Sequence, residues 1–511
     1  MKLFKAMATV AGLTGVSRIL GFIRDILTAA LLGAGPIADA FFVALKLPNF
    51  FRRVTAEGAF TVAFVPLYSE RLEKEGEEKA DLFASNAFAV MLAVLIPFTI
   101  LAMFAMPFII YGIAPGFSDD PVRYGLAVEL SRITFPYLLL ISLSALMGGV
   151  LNAHDKFAPF AAAPVFFNLC LIIALAVFSD VTETAGHAMA WGIFAAGIVQ
   201  FAWLFYFIKR AKRKLVFKKP ELTPNIKKLF KLMGPGVIGA GVMHINLFAD
   251  LIIASMLSAG SISYLYYADR LNQLPLGMVG IAVGTALLPM LSKALASDNK
   301  EEASNLFNRA LEVCLLLALP AATALFVLPE VLISSLFERG EFTAEDTSNA
   351  SKVLMGYAIG LPAYVAAKVF STRYWSQQDT LSPVKISIIT TVLNVALSLI
   401  LIWPLGVAGI ALSTGIVGWV QLVLLYRGIR KNDEAPLFDD RFKAVFSKIV
   451  FCTLFMAVVI LVMSKYSHIM SSISELILLV VFGLISYGGM IITTKAVNIA
   501  EVKKYLVKNK A

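Results

Sequence analysis

Runs of about 20 apolar residues recur along nearly the whole chain, and short polar loops separate them. An α-helix of that length crosses the hydrocarbon core of a lipid bilayer. We therefore expect an all-α integral membrane protein with about fourteen transmembrane helices, which we call spans. The spans, numbered in chain order, are predicted near residues 7–33, 37–68, 80–111, 123–152, 160–179, 187–208, 225–257, 264–293, 303–328, 346–372, 382–402, 407–428, 442–465 and 473–495.

The composition agrees with this assignment, because 59% of the 511 residues are hydrophobic and only 15% are charged, which excludes a water-soluble domain. The net charge of +10 would point to nucleic acid in a soluble protein. Here Lys and Arg collect in alternate loops, which is typical of the cytoplasmic side of membrane proteins. We predict cytoplasmic N- and C-termini and no nucleic-acid partner. The basic loop at 209–231 is predicted to contact anionic membrane lipids.

The chain repeats itself weakly at an offset of about 224 residues. The clearest matches are FFVALKL at 41–47 with LYYADRL at 265–271, EEKADLF at 77–83 with EEASNLF at 301–307, and HDKFAP at 154–159 with QDTLSP at 378–383. Each copy would hold six spans, an even number, so both copies cross the membrane in the same direction as a parallel repeat. The predicted organisation is an N-lobe at 1–210, a basic linker at 211–224, a C-lobe at 225–431, and two added spans with a basic tail at 432–511.

Charged side chains interrupt the apolar spans, above all in span 2. There, Asp39, Lys46, Asn49, Arg53 and Glu57 are spaced 7, 3, 4 and 4 apart, which keeps them on one helical face. The other charges predicted to face the same aqueous cavity are Arg18, Arg24 and Asp25 in span 1, Arg52 beside the span 2 stripe, and Asp269 and Arg270 in span 8.

A charge at the bilayer centre costs roughly 2.5–3.5 kcal/mol, so a set this large must face water or itself. The set holds six cations and four anions, and this surplus favours an anionic ligand. Arginine suits phosphate in particular, because its planar fork donates two parallel hydrogen bonds. The alternative is that Arg53 with Glu57, and Asp269 with Arg270, are internal pairs that only support packing.

We find no phosphate-binding loop, no zinc-protease motif and no calcium loop, and we predict neither catalytic residues nor metal ligands. No cofactor is expected. Without an ATP site, transport would draw on an ion gradient, the membrane potential or the substrate gradient. Asp250 in span 7 and Asp379 before span 11 are candidates for a coupling-cation site.

Several stretches closely resemble the MurJ family of bacterial lipid II flippases, which belongs to the multidrug/oligosaccharidyl-lipid/polysaccharide exporter superfamily. They are SRILGFIRD at 17–25, ADAFFVALKLPNFFRRVTAEGAF at 38–60, APGF at 114–117 and YYADRL at 266–271. The resemblance implies two six-helix lobes in a V plus two more helices that form a groove for a lipid tail. It also implies that Arg18, Arg24, Arg52 and Arg270 act on the substrate, and that Asp39, Arg53 and Glu57 line the cavity or its gate.

The implied substrate is lipid II, whose head group would move by alternating access from the cytoplasmic to the periplasmic leaflet of the bacterial inner membrane. Association with the cell-wall synthesis machinery would follow. The first alternative is a flippase for another polyprenyl-linked sugar, with nearly the same cavity physics. The second is a cation-coupled drug exporter of the same superfamily, whose cavity should carry surplus acid. A membrane glycosyltransferase would need acids in its outer loops, and a non-transporting scaffold would make the cavity charges dispensable.

Overall fold

The computed structural model describes residues 2–52, 60–216, 218–283, 287–297, 299–432, 437–467 and 472–496. These residues form helices and turns, and no strand occurs among them. The helices are α1 Lys2–Leu32, α2 Pro36–Phe51, α3 Thr61–Glu75, α4 Glu77–Phe104, α5 Met106–Ile113, α6 Pro121–Thr134, α7 Tyr137–Ala153, α8 Ala158–Ala161, α9 Ala163–Phe178, α10 Ala185–Arg210, α11 Pro224–Ser255, α12 Ser261–Ala282, α13 Leu288–Ala296, α14 Lys300–Val327, α15 Pro329–Phe337, α16 Ala344–Ser376, α17 Leu381–Leu405, α18 Val407–Asn432, α19 Asp440–Ser467 and α20 Ser472–Thr493.

The all-helical membrane fold predicted from the apolar runs is confirmed, although several predicted spans are broken. Span 3 consists of α4 and α5, and span 4 of α6 and α7, which meet at Phe135 and Pro136. Proline is tolerated at the start of a helix, where its missing N–H has no intrahelical acceptor. The prolines at α5, α15 and the α6–α7 junction therefore end one helix and begin the next without destroying the span.

Ten helical stretches in the described part of the chain are long and apolar enough to cross a membrane. They are Glu77–Phe104, Pro121–Ala153, Ala158–Phe178, Ala185–Arg210, Lys300–Val327, Ala344–Ser376, Leu381–Leu405, Val407–Lys431, Asp440–Tyr466 and Ser472–Thr493. The helices α1, α2, α11 and α12 are not among them. Both α1 and α2 carry the charges that set these spans apart from ordinary lipid-facing helices.

Contacts divide the chain into two compact units. Unit 1 consists of Met1–Ser263 and Arg339–Thr343, and unit 2 of Tyr264–Glu338 and Ala344–Ala511. These boundaries follow packing, whereas the predicted lobes follow the sequence repeat. The division at 210, 224 and 431 stays a prediction.

In unit 1, α10 packs against α6, α7 and α9, and α1 packs against α9. A core of stacked aromatic rings, Phe60, Phe64, Tyr68 and Phe83, joins α3 to α4. Unit 1 also includes the short segment 339–343, because the Glu341 N–H donates to the Ala30 carbonyl at 2.9 Å.

Two glycines make the approach of segment 339–343 to the end of α1 possible. Gly33 has φ +63° and Gly340 has φ +58°, a left-handed conformation that favours glycine. A Cβ at Gly340 would lie 2.1 Å from the Ala30 carbonyl oxygen, and one at Gly33 would lie 2.4 Å from the Glu341 carbonyl oxygen. Any side chain at either position would therefore push the two backbones apart.

In unit 2, α16 packs closely on α18 through small residues. A Cβ at Gly360 would lie 2.5 Å from the Cα of Gly415, and one at Gly356 would lie 2.7 Å from the backbone nitrogen of Leu412. Small residues let membrane helices approach until their backbones touch, which strengthens van der Waals packing. This packing matters because the hydrophobic effect does not drive helix association within lipid. The added helix α20 is anchored to α14 by the Tyr487 hydroxyl, which donates to the Leu316 carbonyl at 2.7 Å.

Matched interruptions in the two halves support the internal repeat. The break at Ala105 between α4 and α5 corresponds to the break at Leu328 between α14 and α15. The turn 151–156 also corresponds to the turn 374–379, because each makes the same three backbone hydrogen bonds. Their left-handed residues are Asp155, with φ 59°, and Gln378, with φ 63°.

Candidate functional site

Arg24 on α1 is buried at the contact with α9 and already has two polar partners. It is 6% exposed. Its Nε and Nη2 donate to one carboxylate oxygen of Asp25 at 3.1 and 2.7 Å, and its Nη1 donates to Asn168 Oδ1 at 2.9 Å. The guanidinium is therefore buried within unit 1, and the next residue balances its charge.

One stripe of α1 explains how Arg24 reaches Asn168. Ser17, Gly21 and Arg24 are spaced by four and three residues, so they share a helical face. The Asn168 amide donates to the Ser17 carbonyl at 2.9 Å, and a Cβ at Gly21 would lie 3.5 Å from the same amide. Asn168 thus bridges Ser17 and Arg24. Arg18, the neighbour of Ser17, is turned away and exposed.

Asp39 on α2 is buried to 1% exposure and binds the first turn of α12. Its Oδ2 accepts the Gly260 N–H at 2.8 Å, and its Oδ1 accepts the Ser263 N–H at 2.9 Å and the Ser263 hydroxyl at 2.7 Å. The first N–H groups of a helix have no intrahelical acceptor, and the helix dipole favours a negative charge there. Asp39, which lies on α2, therefore caps the N-terminus of α12. The first residues of α12 belong to unit 1, as Asp39 does.

Arg123 on α6 binds the opposite kind of helix end, the C-terminus of α11. Its Nη2 donates to the Ser255 carbonyl at 2.8 Å and its Nη1 to the Leu257 carbonyl at 3.3 Å. The guanidinium also lies over the Phe117 ring, 4.1 Å from its centroid. The last carbonyls of a helix attract cations. Asp39 and Arg123 together fix both ends of the connection between α11 and α12.

The second half of α2 carries Lys46, Asn49 and Arg52, all half-buried. Asn49 donates to the Leu45 carbonyl at 2.9 Å and accepts from Arg52 Nε at 3.2 Å. Pro48, which directly precedes Asn49, has no N–H to donate to the Ala44 carbonyl. The Thr134 hydroxyl donates to that carbonyl at 3.1 Å, so the proline is accommodated within the helix.

In unit 2, α12 carries Asp269 and Arg270, both half-buried. Arg270 Nη2 donates to the Tyr266 hydroxyl at 2.7 Å, and its guanidinium lies 4.7 Å from the Tyr266 ring centroid. The Gln273 amide donates to Asp269. Tyr266 and Gln273 each lie one helical turn from the charge that they contact, so the spacing of four in YYADRLNQ carried this signal.

The two candidate coupling-cation residues belong to different units. Asp250, near the end of α11 in unit 1, is half-buried. Asp379 caps α17 in unit 2, where its Oδ1 accepts the Ser382 N–H at 2.9 Å. Hydrogen bonds from Ser382 hold the pKa of Asp379 below its ordinary value, so the carboxylate is ionised at neutral pH. Their joint role as a cation site stays a prediction.

The basic linker is held along α4. Asp81 Oδ2 accepts the Lys214 N–H at 3.0 Å, and the Ser85 hydroxyl accepts the Val216 N–H at 3.0 Å. Asn86 pairs with both backbone groups of Glu221, at 2.8 and 3.0 Å. The linker backbone is therefore bound by polar side chains of unit 1, which the composition of this segment did not reveal.

The predicted charged set thus divides into groups with different surroundings. Arg24 and Asp25 contact each other, and Asn49 contacts Arg52. Asp39 contacts the connection between α11 and α12, which no sequence pattern links to it. Arg53 and Glu57 lie outside the described residues. The polar partners that the sequence did not identify are Ser17, Arg123, Thr134, Asn168, Ser263 and Tyr266. Asn168 is 144 positions from Arg24, and no local pattern specifies that separation.

By its fold, this chain is a multi-pass helical membrane protein with charged side chains in its first spans. Residues 28–482 match the family described as "Lipid II flippase MurJ". The chain belongs to this family, so it is a transporter and not an enzyme.

Relatives and a solved structure agree with the family assignment. A "Probable lipid II flippase MurJ" from Rhizobium meliloti (strain 1021) is 45% identical over 430 residues, which cover 83% of this chain and 80% of that protein. Another from Rickettsia prowazekii (strain Madrid E) is 34% identical over 505 residues, covering 98% and 99%. The structure described as "Lipid II flippase MurJ, inward closed conformation" matches with a TM-score of 0.79 at 30% identity, covering 94% of this chain and 97% of that one.

Proposed function

We propose that this protein moves lipid II from the cytoplasmic to the periplasmic leaflet of the bacterial inner membrane. Membership of the lipid II flippase family supports the substrate class. The observation that carries the chemistry is the buried Arg24, whose fork is held inside unit 1 by Asp25 and Asn168. A polyprenyl pyrophosphate presents oxygen atoms in the geometry that an arginine fork binds.

The proposed binding step is an exchange of partners. In the described conformation, Nε and Nη2 of Arg24 share one oxygen of Asp25. A pyrophosphate would take over this edge of the guanidinium, while Asn168 continues to hold Nη1. The exchange preserves charge balance for the buried arginine, which would be costly to leave without an anion. Asp25 would then release the anionic head group by competing for the same edge.

The remaining cations are proposed to guide and hold the head group. Arg18 is exposed, and Lys46 and Arg52 are half-buried, so they are more accessible than Arg24 in the described conformation. Arg270 would act through the same chemistry, and Asp269, Asn49, Arg53 and Glu57 would line the path or its gate. The polyprenyl tail would stay in the bilayer, against the apolar surfaces of α19 and α20. These helices expose Phe451, Leu454 and Ile485.

We propose alternating access, in which the head-group site opens to one side of the membrane at a time. The internal repeat and the interrupted helices support this mechanism, since transporters with such repeats move one repeat against the other. Coupling to a cation at Asp250 and Asp379, or to the membrane potential, remains part of the proposal. The proposal also includes cytoplasmic N- and C-termini, contact of the basic linker with anionic lipids, and association with the cell-wall synthesis machinery.

The test is lipid II translocation in liposomes that contain the purified protein. We expect the wild type to translocate lipid II and an Arg24→Ala, Arg270→Ala double variant to fail. A matched control is the Lys352→Ala, Arg427→Ala double variant, which removes the same charge from two exposed positions and should retain transport.

Each other outcome has a definite meaning. Transport by the Arg24→Ala, Arg270→Ala variant would contradict the role of the arginines. No transport by the folded wild type, with and without an imposed membrane potential, would contradict lipid II as the substrate. The same liposomes would then be tested with another polyprenyl-linked oligosaccharide. Replacing Na⁺ by choline on both sides, with the potential held constant, tests cation coupling separately.

A further inference from the structure

A second polar site lies in unit 1, away from the charges of α1 and α2. Glu129 on α6, Glu183 before α10 and His187 in the first turn of α10 each direct one ligand atom to a common point, and these atoms all lie within 4.8 Å of one another. They line an open cleft of about 800 Å³, whose walls include Tyr124, Arg132 and Trp191. We propose that these three residues bind a divalent transition-metal ion of the Zn²⁺ class.

His187 is the observation that distinguishes this site from an ordinary acidic surface. The residue is only 5% exposed, and its Nε2 is buried without a hydrogen-bond partner in the described structure. That atom faces Glu129 Oε1 at 3.5 Å and Glu183 Oε2 at 3.8 Å. A buried polar atom is costly without a partner, and a cation held between His187 Nε2 and the two carboxylates would provide one.

The other ring nitrogen is held in the manner of a metal-binding histidine. Thr184 Oγ1 lies 2.9 Å from His187 Nδ1, and Thr184 is also the N-cap of α10. When Nδ1–H donates to this hydroxyl, Nε2 presents its lone pair to the cleft. Metal-ligating histidines almost always have such a partner, which fixes the ring and its tautomer.

A positively charged side chain of the protein is the competing partner for these groups. Arg132 also lines the cleft, although its Nε donates to the Met103 carbonyl at 3.1 Å. A metal ion bound to neutral imidazole and two carboxylates satisfies all three groups at once.

The donor atoms indicate the kind of metal, and the two distances from His187 Nε2 are compatible with it. In a tetrahedral zinc site with bonds of about 2.0–2.2 Å, neighbouring ligand atoms lie about 3.3–3.6 Å apart. The distances of 3.5 and 3.8 Å from Nε2 are close to this range. Glu183 is 82% exposed in its side chain and Glu129 is 55% exposed, so both can adjust. Imidazole suits Zn²⁺, Cu²⁺ and Ni²⁺, whereas Mg²⁺ and Ca²⁺ prefer an all-oxygen set.

The experiment is a calorimetric titration of Zn²⁺ into the full-length protein in detergent micelles, in metal-free buffer and with a tag that contains no histidine. We expect one Zn²⁺ per chain for the wild type. His187→Gln should weaken the affinity by about 100-fold or more, and Glu183→Gln by about 10-fold or more. His154→Gln, which changes a histidine in another region of unit 1, should bind as the wild type does.

A spectroscopic readout tests the geometry directly. Co²⁺ should give the visible absorption of a tetrahedral ion with the wild type, and Zn²⁺ should abolish it by displacement. No binding by the wild type, or unchanged binding by His187→Gln, would overturn the proposal. Should His187→Gln fail to fold, Glu183→Gln decides, because its side chain is exposed and its substitution leaves packing intact. Displacement of the ion by excess Ca²⁺ would overturn the assigned metal class. This site stands or falls independently of lipid II transport.

Discussion

Two groups of charges on α1 and α2 have different surroundings. Arg24, Asp25 and Asp39 are buried and engaged with backbone or side-chain partners of unit 1. Arg18 is exposed, and Lys46 and Arg52 are half-buried. The sequence places both groups within the same apolar spans, yet burial separates them. A charge in a membrane helix can therefore stabilise the fold, bind a substrate, or do both. Measuring stability and transport for the same variant distinguishes these roles.

The largest expected effect is that of Arg24→Ala. Removing one partner of a buried ion pair costs about 3–5 kcal/mol, because the remaining charge loses its compensation. We expect a clear fall in the thermal unfolding midpoint in detergent, measured by tryptophan fluorescence. The Arg24→Ala, Asp25→Asn double variant should recover most of the stability but not lipid II transport. An unchanged midpoint for Arg24→Ala would show that the buried Arg24 does not stabilise the fold.

Asp39→Asn should have the next largest effect. The asparagine keeps one acceptor oxygen but turns an NH₂ group towards a backbone N–H of Gly260 or Ser263. An unsatisfied buried donor costs about 1–3 kcal/mol, so the unfolding midpoint should fall by less than it does for Arg24→Ala. Asp180→Asn, at an exposed position, is the matched control and should leave the midpoint unchanged. Equal midpoints for the two variants would argue against Asp39 as a cap of α12.

Arg52→Ala should separate transport from stability. Its side chain is half-buried and donates to Asn49, and the loss of one such hydrogen bond costs about 0.5–1.5 kcal/mol, less than the loss of a buried charge partner. We expect the unfolding midpoint to stay closer to that of the wild type than it does for Arg24→Ala, while the initial rate of lipid II transport falls. Arg52→Lys should retain more transport than Arg52→Ala, since it keeps the charge but loses the fork. A normal transport rate for Arg52→Ala would show that Arg52 is not needed for transport.

The smallest expected effect is a pH dependence that comes from His154, at the end of α7. Its Nε2 lies 3.1 Å from the Tyr68 hydroxyl. Burial, and then the neighbouring Arg213, lower the pKa of His154 below its ordinary value of 6.5. The unfolded chain therefore binds this proton more readily, and stability falls as the pH decreases below about 6.5. The unfolding midpoint should drop between about pH 7.5 and about pH 5.5, and His154→Gln should reduce that drop. An identical pH profile for the variant would assign the dependence to other groups.

The sequence predicted the helical membrane fold because a span needs little beyond about 20 apolar residues. It also predicted that α1 and α2 carry unusual charges. The breaks within spans were harder to predict, because a proline does not always end a helix. Pro48 lies inside a helix, since a neighbouring side chain satisfies the carbonyl that the proline leaves without a donor. Thr134 does so here from α6, and only tertiary packing brings it there.

The partners of the charges were harder to predict than the charges themselves. Asn168 and Ser263 are ordinary polar residues in sequence, and each gains its importance from the helix packed against it. Tyr266 differs, because it lies one turn from Arg270 on the same helix and a local pattern could have identified it. Local spacing thus predicts contacts within a helix, whereas contacts between helices depend on packing that one sequence does not specify.

The two matched turns record how the chain arose. Leu151–Lys156 and Tyr374–Asp379 share a left-handed residue and the same three hydrogen bonds, although their residue types differ. Their hydrogen bonds align at an offset of about 223, one residue short of the offset of the HDKFAP and QDTLSP match. Backbone geometry has therefore persisted after side-chain identity was lost. This is the expected trace of an ancient gene duplication, after which the two copies were free to acquire different charges.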